Sequence, residues 1–131
     1  MSTTISGSNG IVFPDATSMQ TGQQAVKAWV NFNGTGTVAI RAGYNVSSIS
    51  DNGTGDYTVN FTTAMSDVNY SINVNARGNG DANRGGGGLV YLPNATIPTT
   101  SAARFSTFVG ASGSGGGVIF DMDYVYVSIF R

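Results

Sequence analysis

The sequence contains few side chains that could do chemistry, and its clearest pair is Asp121 and Asp123 in "DMD". On an extended strand, residues i and i+2 point to the same face, so these two carboxylates could share one cation. Two carboxylates are too few for a firm calcium or magnesium site. The simpler interpretation is that the pair marks the start of the final strand, and we predict no metal site.

Two glycine-containing segments resemble ligand-binding loops only in part. "DNGTGD" (51–56) alternates oxygen donors with glycines, but it lacks the roughly 12-residue spacing and the closing Glu of a calcium loop. It is better explained as a hairpin turn. "RGGGG" (84–88) could offer backbone N–H groups to an anion, but no Lys-Ser/Thr pair completes a phosphate-binding loop.

The composition argues against catalysis. The chain has no His, no Cys and no Glu, so its many Ser and Thr hydroxyls have no imidazole to activate them. We therefore predict that the protein is not an enzyme and needs no cofactor. With 10% charged residues and a net charge of −1, it also lacks the basic footprint of a nucleic-acid-binding protein.

The N-terminal sequence and the hydropathy pattern bear on localisation. "MSTTISGSNG" has neither the basic nor the apolar region of a signal peptide. No stretch approaches the roughly 20 apolar residues of a membrane span. We expect a protein made in the cytoplasm without membrane insertion.

From residue 25 onward the pattern predicts β-structure. Apolar and polar residues alternate strictly in 57–63 and 69–76, and Asn-Gly within 33–36 predicts a hairpin. Short strands separated by turns predict one all-β domain over 25–131, an antiparallel, jelly-roll-like sandwich. The other predicted strands are 25–32 with Val26, Ala28, Val30 and Phe32 on one face, 37–49 as one long or broken strand with a bulge at Gly43, 89–92, 103–110 and 118–130.

Residues 1–24 differ from the rest because they are small, polar and turn-rich, with one apolar group at 11–13. Pro14 cannot donate to a ladder, so this group is at best a short edge strand. A segment this short cannot bury enough surface to fold alone. We predict an extended docking segment that contacts its own domain, sister chains or a larger particle.

The predicted strand 118–130 is apolar on both faces, with Val125, Val127 and Ile129 on one of them. A solvated face should carry polar residues. The pattern favours coverage of the second face by a neighbouring subunit, because large apolar patches mark contact sites; coverage by the chain's own loops is the alternative. The interface candidates are Tyr124, Tyr126, Phe130, Ile11 and Phe13.

Two glycine-rich loops, 77–88 and 111–117, are candidates for ligand binding. Glycine exposes backbone donors and acceptors, and structureless loops longer than about 12 residues are usually functional or disordered. Amide, carboxylate and aromatic groups suit sugar hydroxyls. The candidates are Asn79, Asp81, Asn83, Arg84 and Tyr91, with Phe105 and Phe108 expected nearby; the alternative is that these loops only connect strands.

Three pieces within 25–72 carry a family resemblance: "KAWVNFNGTGT", "IRAGYNVSSISDNGTGDYTVNF" and "FTTAMSDVNY". They resemble a small β-domain of tailed-bacteriophage structural proteins, typically found at the distal end of tail fibres. "GIVFPDATSMQTGQQ" (10–24) is similar to a segment upstream of fibre modules. It departs from that pattern at Ala16, where the pattern has Gly, and at Ser18 and Met19, which intervene before Gln20.

The resemblance implies a homotrimer located in the virion, a part in host attachment and no catalytic residues. It also implies that the N-terminal segment docks onto other virion proteins. We therefore expect a short tail-fibre or fibre-tip protein whose loops attach to a host-surface glycan. A capsid-decorating head fibre or a baseplate connector, without a receptor-binding role, fits the chain length equally well.

Overall fold

The structure is a computed structural model that describes residues 4–6, 10–12, 18–19, 26–77, 86–91, 97–109 and 118–131. Within these ranges the regular elements are all β-strands and their pairings are all antiparallel. A search of the described residues for helices long and apolar enough to cross a membrane found none. The predicted all-β, antiparallel architecture is confirmed for this part of the chain.

The described residues form twelve strands. In chain order they are β1 (Thr4–Ser6), β2 (Gly10–Val12), β3 (Ser18–Met19), β4 (Val26–Asn33), β5 (Ala39–Tyr44), β6 (Val46–Gly53), β7 (Asp56–Phe61), β8 (Ser71–Arg77), β9 (Gly86–Tyr91), β10 (Ala102–Val109), β11 (Val118–Ile119) and β12 (Tyr124–Phe130).

A four-stranded sheet in the order β5-β4-β12-β8 forms one layer of the domain. Its central strand β12 places Val127 opposite Val30 of β4 and Val74 of β8. The inner face of β12 is buried through Val125 and Ile129 as well. The prediction that these alternate residues share one face of the strand is confirmed, and that face is buried.

A second sheet is built from β6, β7 and β10, with both β9 and β11 pairing to β10. In β7, Tyr57, Val59 and Phe61 are buried while the residues between them are half-buried, as the strict alternation predicted. Across the outer side of this sheet, the guanidinium of Arg104 donates to both carboxylate oxygens of Asp56, at 2.8 and 2.5 Å.

The two sheets share one hydrophobic core. The ring of Phe32, on the first sheet, meets Tyr57 of the second sheet edge-on at a centroid distance of 5.2 Å, and Phe105 lies 6.3 Å away. Edge-to-face aromatic pairs of this kind contribute about 0.5–1.5 kcal/mol beyond their buried area. The arrangement is sandwich-like, with aromatic contacts joining the layers.

The predicted strand 118–130 is in fact two strands on different sheets. β11 pairs with β10 of the second sheet, whereas β12 lies in the first sheet. Between them the carbonyl of the buried Met122 accepts a hydrogen bond from the N–H of Gly34 at 2.8 Å, and Asp121 accepts one from the N–H of Gly55 at 2.6 Å. These long-range bonds fix the crossing, which the continuous apolar pattern concealed.

Of the two predicted forms of 37–49, one long strand or a broken one, the structure has the broken form: a second crossing divides it at Asn45, between β5 and β6. Asn45 has a φ of 55°, a left-handed conformation that Asn adopts more readily than most residues. The bulge expected at Gly43 lies at Arg41 instead, since Asn31 pairs with Ala42 and Phe32 with Ile40.

Two expectations about glycine-rich and N-terminal segments were also wrong. Residues 86–88, predicted as part of a loop, form the start of β9 and pair with β10. Residues 11 and 12, predicted as at best an edge strand, lie on β2, the middle strand of a small sheet in the order β1-β2-β3.

Candidate functional site

The outer side of the four-stranded sheet carries an apolar strip on two adjacent strands. We call Trp29, Tyr124, Tyr126 and Phe130 the aromatic face. Trp29 and Tyr126 are each 41% exposed and Phe130 is 39% exposed. Trp29 lies opposite Ser128, so Tyr126 and Phe130 are its diagonal neighbours on β12, within reach of aromatic side chains.

Polar residues border the aromatic face on the β8 side. The exposed side chains of β8 that lie beside the outward residues of β12 are Ser71, Asn73, Asn75 and Arg77. At one end, the guanidinium of Arg41 lies 4.1 Å from the ring centroid of Tyr124, which stacks on Tyr126 at 6.2 Å. An apolar centre with a polar margin is the usual organisation of a protein–protein contact surface.

The aromatic face is the second apolar side that the sequence predicted for the last strand. Among the described residues, three of its four rings (Trp29, Tyr126 and Phe130) are about two fifths exposed, and Tyr124 is half-buried. The glycine-rich loops that would provide the alternative coverage lie largely outside the described residues, so coverage by a neighbouring subunit and coverage by the chain's own loops both stay predictions.

Several predicted site residues lie outside the described residues or have only their backbone described. Asn79, Asp81, Asn83, Arg84 and Phe13 lie outside them, and Tyr91 and Ile11 are described as strand positions on β9 and β2. Phe105 and Phe108, expected near the binding loops, both lie on β10; Phe105 is fully buried in the core and Phe108 is half-buried. Of the interface candidates, Tyr124, Tyr126 and Phe130 lie together.

A groove of about 510 Å³ lies where β4 begins, β5 ends and the segment after β7 passes the end of β12. We call it the corner groove. Its lining residues are Lys27, Tyr44, Asn45, Thr62, Thr63, Ala64, Met65, Ser66 and Arg131.

Asn45 holds two walls of the corner groove together. Its amide nitrogen donates to the carbonyls of Lys27 at 3.0 Å and Thr63 at 3.1 Å, while its side-chain oxygen accepts the N–H of Thr63 at 2.7 Å. The N–H of Thr62 donates to the Asn45 carbonyl at 3.2 Å. The left-handed backbone at Asn45 thus serves to aim one side chain at two neighbouring segments.

Lys27 reaches the corner groove from a β-bulge. Ile129 pairs with Ala28 and Phe130 pairs with Val26, which leaves Lys27 as the extra residue on β4. Bulges re-aim side chains, and here the change of register also turns Val26 outward. Val26, expected on the buried face with Ala28, is 38% exposed.

Arg131 forms the opposite wall through an ion pair with Asp67. Its Nε donates to one carboxylate oxygen at 3.0 Å and its Nη2 donates to the other. These hydrogen bonds, followed by the one from the Asn69 N–H, lower the pKa of Asp67, and the pKa of Arg131 is raised by the same carboxylate. The pair stays ionised and keeps the guanidinium in place.

Asp121, the first member of the carboxylate pair singled out in the sequence, has a structural role. Its Oδ1 accepts the Gly55 N–H and lies 2.8 Å from the Tyr57 hydroxyl. Asp123 has one buried oxygen without a hydrogen-bond partner in the described structure. Across the described ranges, no group of three or more His, Cys, Asp or Glu side chains could hold a metal ion.

Sequence reasoning missed the corner groove as a site. Its residues come from four separated segments, and Lys27 reaches it only because of the bulge in β4. The one local signal was Tyr44-Asn45, an aromatic residue followed by a residue that tolerates left-handed backbone.

Comparison with family models, with curated proteins and with solved structures found no significant match in any of the three.

Proposed function

We propose that the protein is a bacteriophage virion structural protein, a short tail-fibre or fibre-tip protein that takes part in host-surface attachment. In this proposal the domain is a jelly-roll-like sandwich that assembles as a homotrimer. The proposal is supported by the resemblance of 25–72 to fibre-tip domains and by the aromatic face, and it involves no catalytic residues.

The observation that carries the proposal is the exposure of three large rings on strands at the middle of a sheet. If this side of the sheet faced water, polar residues would be expected at these positions instead of Trp29, Tyr126 and Phe130. Trp and Tyr dominate the binding energy of protein–protein contacts when a partner fully desolvates them. Sister chains that cover the aromatic face would account for these residues.

The composition of the remaining surface also suits a passive structural role. Outward rows such as the one on β8 consist mainly of uncharged amides and hydroxyls, and only 10% of all residues are charged. Such a surface stays hydrated with little dependence on salt, because screening acts on charges. A particle component exposed to variable media benefits from that property.

Attachment to the particle is assigned, in the proposal, to residues 1–24. Their three short strands pair with one another in the small sheet β1-β2-β3. A sheet of strands only two or three residues long has little stability by itself and needs a partner to pack on.

Immunogold labelling of purified particles with an antibody against the chain tests the location. Gold at the tail end is expected. Gold on capsid faces or vertices would favour the decoration or head-fibre alternative, and particles that contain none of the chain would overturn the virion role altogether.

Blocking of adsorption by the purified chain tests the attachment role separately. The free chain should compete with particles for the host surface and slow their adsorption. Particles that adsorb at an unchanged rate in a saturating excess of the chain would contradict host attachment, even if the virion location holds.

A further inference from the structure

The corner groove presents polar groups that the protein itself leaves unused. Lys27 has no ion pair within the described part of the chain, and the side-chain hydroxyls of Thr62, Thr63 and Ser66 make no hydrogen bond there. Tyr44 is 59% exposed at the rim. The groove volume of about 510 Å³ falls within the usual range of small-molecule sites.

The walls of the groove are held in place before any ligand arrives. Asn45 ties Lys27 to Thr63, and the N–H of the buried Met65 donates to the carbonyl of Thr100 at 2.7 Å. The ion pair with Asp67 fixes Arg131. A ligand would therefore bind without a large cost for ordering the site.

The charge of the groove favours an anion. The carboxylate of Asp67 offsets the guanidinium of Arg131, whereas the Lys27 ammonium is not offset by a described carboxylate. A lysine ammonium offers three donors to an acceptor group and forms charge-assisted hydrogen bonds with carboxylates.

We propose that the corner groove binds a carboxylate-bearing sugar, such as a uronic acid unit of a surface polysaccharide. The Lys27 ammonium pairs with the sugar carboxylate, and the apolar face of the sugar ring stacks on Tyr44. The free hydroxyls of Thr62, Thr63 and Ser66 bond to the sugar hydroxyls. This deepens the proposed attachment role, on which its biological meaning rests, and it places recognition in the groove instead of the glycine-rich loops.

Amide chemical shifts of the isotope-labelled full chain, titrated with methyl glucuronide and with methyl glucoside, test this proposal. The two probes differ only at C6, which is a carboxylate in the glucuronide and a hydroxymethyl group in the glucoside. Shifts should concentrate at residues 27, 44–45, 62–66 and 131. Glucuronide should bind more tightly by up to about fivefold, since one exposed charge pair contributes up to roughly 1 kcal/mol.

Two variants and one control separate the roles of the groove residues. Lys27→Gln should make the two probes bind equally, and Tyr44→Ala should weaken both by about fivefold or more. Arg41→Gln removes a cation that lies outside the groove and should leave both affinities unchanged. Equal binding of the two probes by the native chain, shifts centred away from the groove, or no shifts with glucuronide would each overturn the proposal.

These outcomes are independent of the virion role. If glucuronide binds in the groove but the antibody labels no particle, the binding site is supported and the proposed function is contradicted. If the antibody labels particles but the chain does not bind glucuronide, the proposed function is supported and the groove assignment is contradicted.

Discussion

The hydroxyl of Tyr57 lies 2.8 Å from Oδ1 of Asp121, across a sequence separation of 64 residues. The same hydroxyl also lies 2.8 Å from the carbonyl of Gly34, so one proton serves two acceptors. Tyr57 is fully buried in the second sheet, and Asp121 lies where the chain crosses back to the first. The contact therefore closes one end of the sandwich.

Removal of this hydroxyl tests its contribution. Tyr57→Phe keeps the ring in the core but removes the donor to the buried Gly34 carbonyl and leaves Asp121 Oδ1 with the Gly55 N–H alone, so it should lower the free energy of unfolding by about 1–3 kcal/mol. Urea denaturation measures the change. Tyr124→Phe, which removes a hydroxyl that makes no hydrogen bond in the described structure, should change it by less than about 0.5 kcal/mol; equal losses in both variants would contradict this account.

Two glycines with the same backbone angle provide a matched pair. Gly36 and Gly55 both have a φ of 61°, but a Cβ at Gly36 meets open space, whereas one at Gly55 would lie 2.7 Å from the carbonyl oxygen of Thr107. Gly36→Ala should cost only the left-handed backbone penalty of about 1–2 kcal/mol. Gly55→Ala should lower the free energy of unfolding by at least about 2 kcal/mol more than Gly36→Ala does, because its methyl group also overpacks the site. Similar unfolding midpoints for the two variants would show that this corner is not closely packed.

Alkaline pH should weaken the fold through its buried tyrosines. Burial raises the pKa of Tyr70 to about 12, and burial followed by the Asp121 carboxylate also raises the pKa of Tyr57. An unfolded chain loses these protons near pH 10, while the folded chain keeps them. The contribution of the buried tyrosines to the free energy of unfolding should be complete below pH 10 and should fall as the pH rises toward 12.

Urea midpoints between pH 8 and pH 11.5 measure this effect. Tyr70 alone should account for a loss of about 2 kcal/mol by pH 11.5. The same series on Tyr70→Phe should therefore show a shallower decline. Parallel declines in the two proteins would mean that Tyr70 ionises as freely when folded as when unfolded.

Local patterns in the sequence were sufficient to predict the interior of single strands. The alternation of Tyr57, Val59 and Phe61 identified the buried side of β7, and no long-range information was needed for that. The crossing at Asp121 could not be predicted in this way, because its partners Gly55 and Tyr57 are more than 60 residues away. Local apolar character continues through the buried Met122 and hides the break.

The two candidate sites also differ in whether local sequence patterns could reveal them. Tyr126 and Phe130 were identified because an outward apolar residue on a strand is visible in the alternation itself. The corner groove was missed because Lys27 enters it through a bulge, and a bulge shows only in the pairing with Ile129 and Phe130.

A charge placed in the aromatic face should prevent assembly without unfolding the domain. Tyr126 is 41% exposed in the single chain. In Tyr126→Lys the new ammonium group would therefore stay in water in the monomer, but it would be buried in the trimer. The dissociation constant should rise at least about 30-fold, as for an interface hot spot. Ser50→Lys introduces the same charge at an exposed position on the other sheet and should have little effect; equal weakening by both would argue against this face as the contact surface.

Trp29 is the only tryptophan of the chain, and it lies in the aromatic face, so its fluorescence reports on this surface alone. The most direct test is analytical ultracentrifugation of the native chain, with Trp29 emission recorded across the same dilution series. We predict a trimer at micromolar concentration whose emission shifts to the red as the trimer dissociates. A monomer with a solvent-exposed Trp29 throughout, or a trimer whose assembly leaves the emission unchanged, would contradict the proposal that sister chains cover the aromatic face.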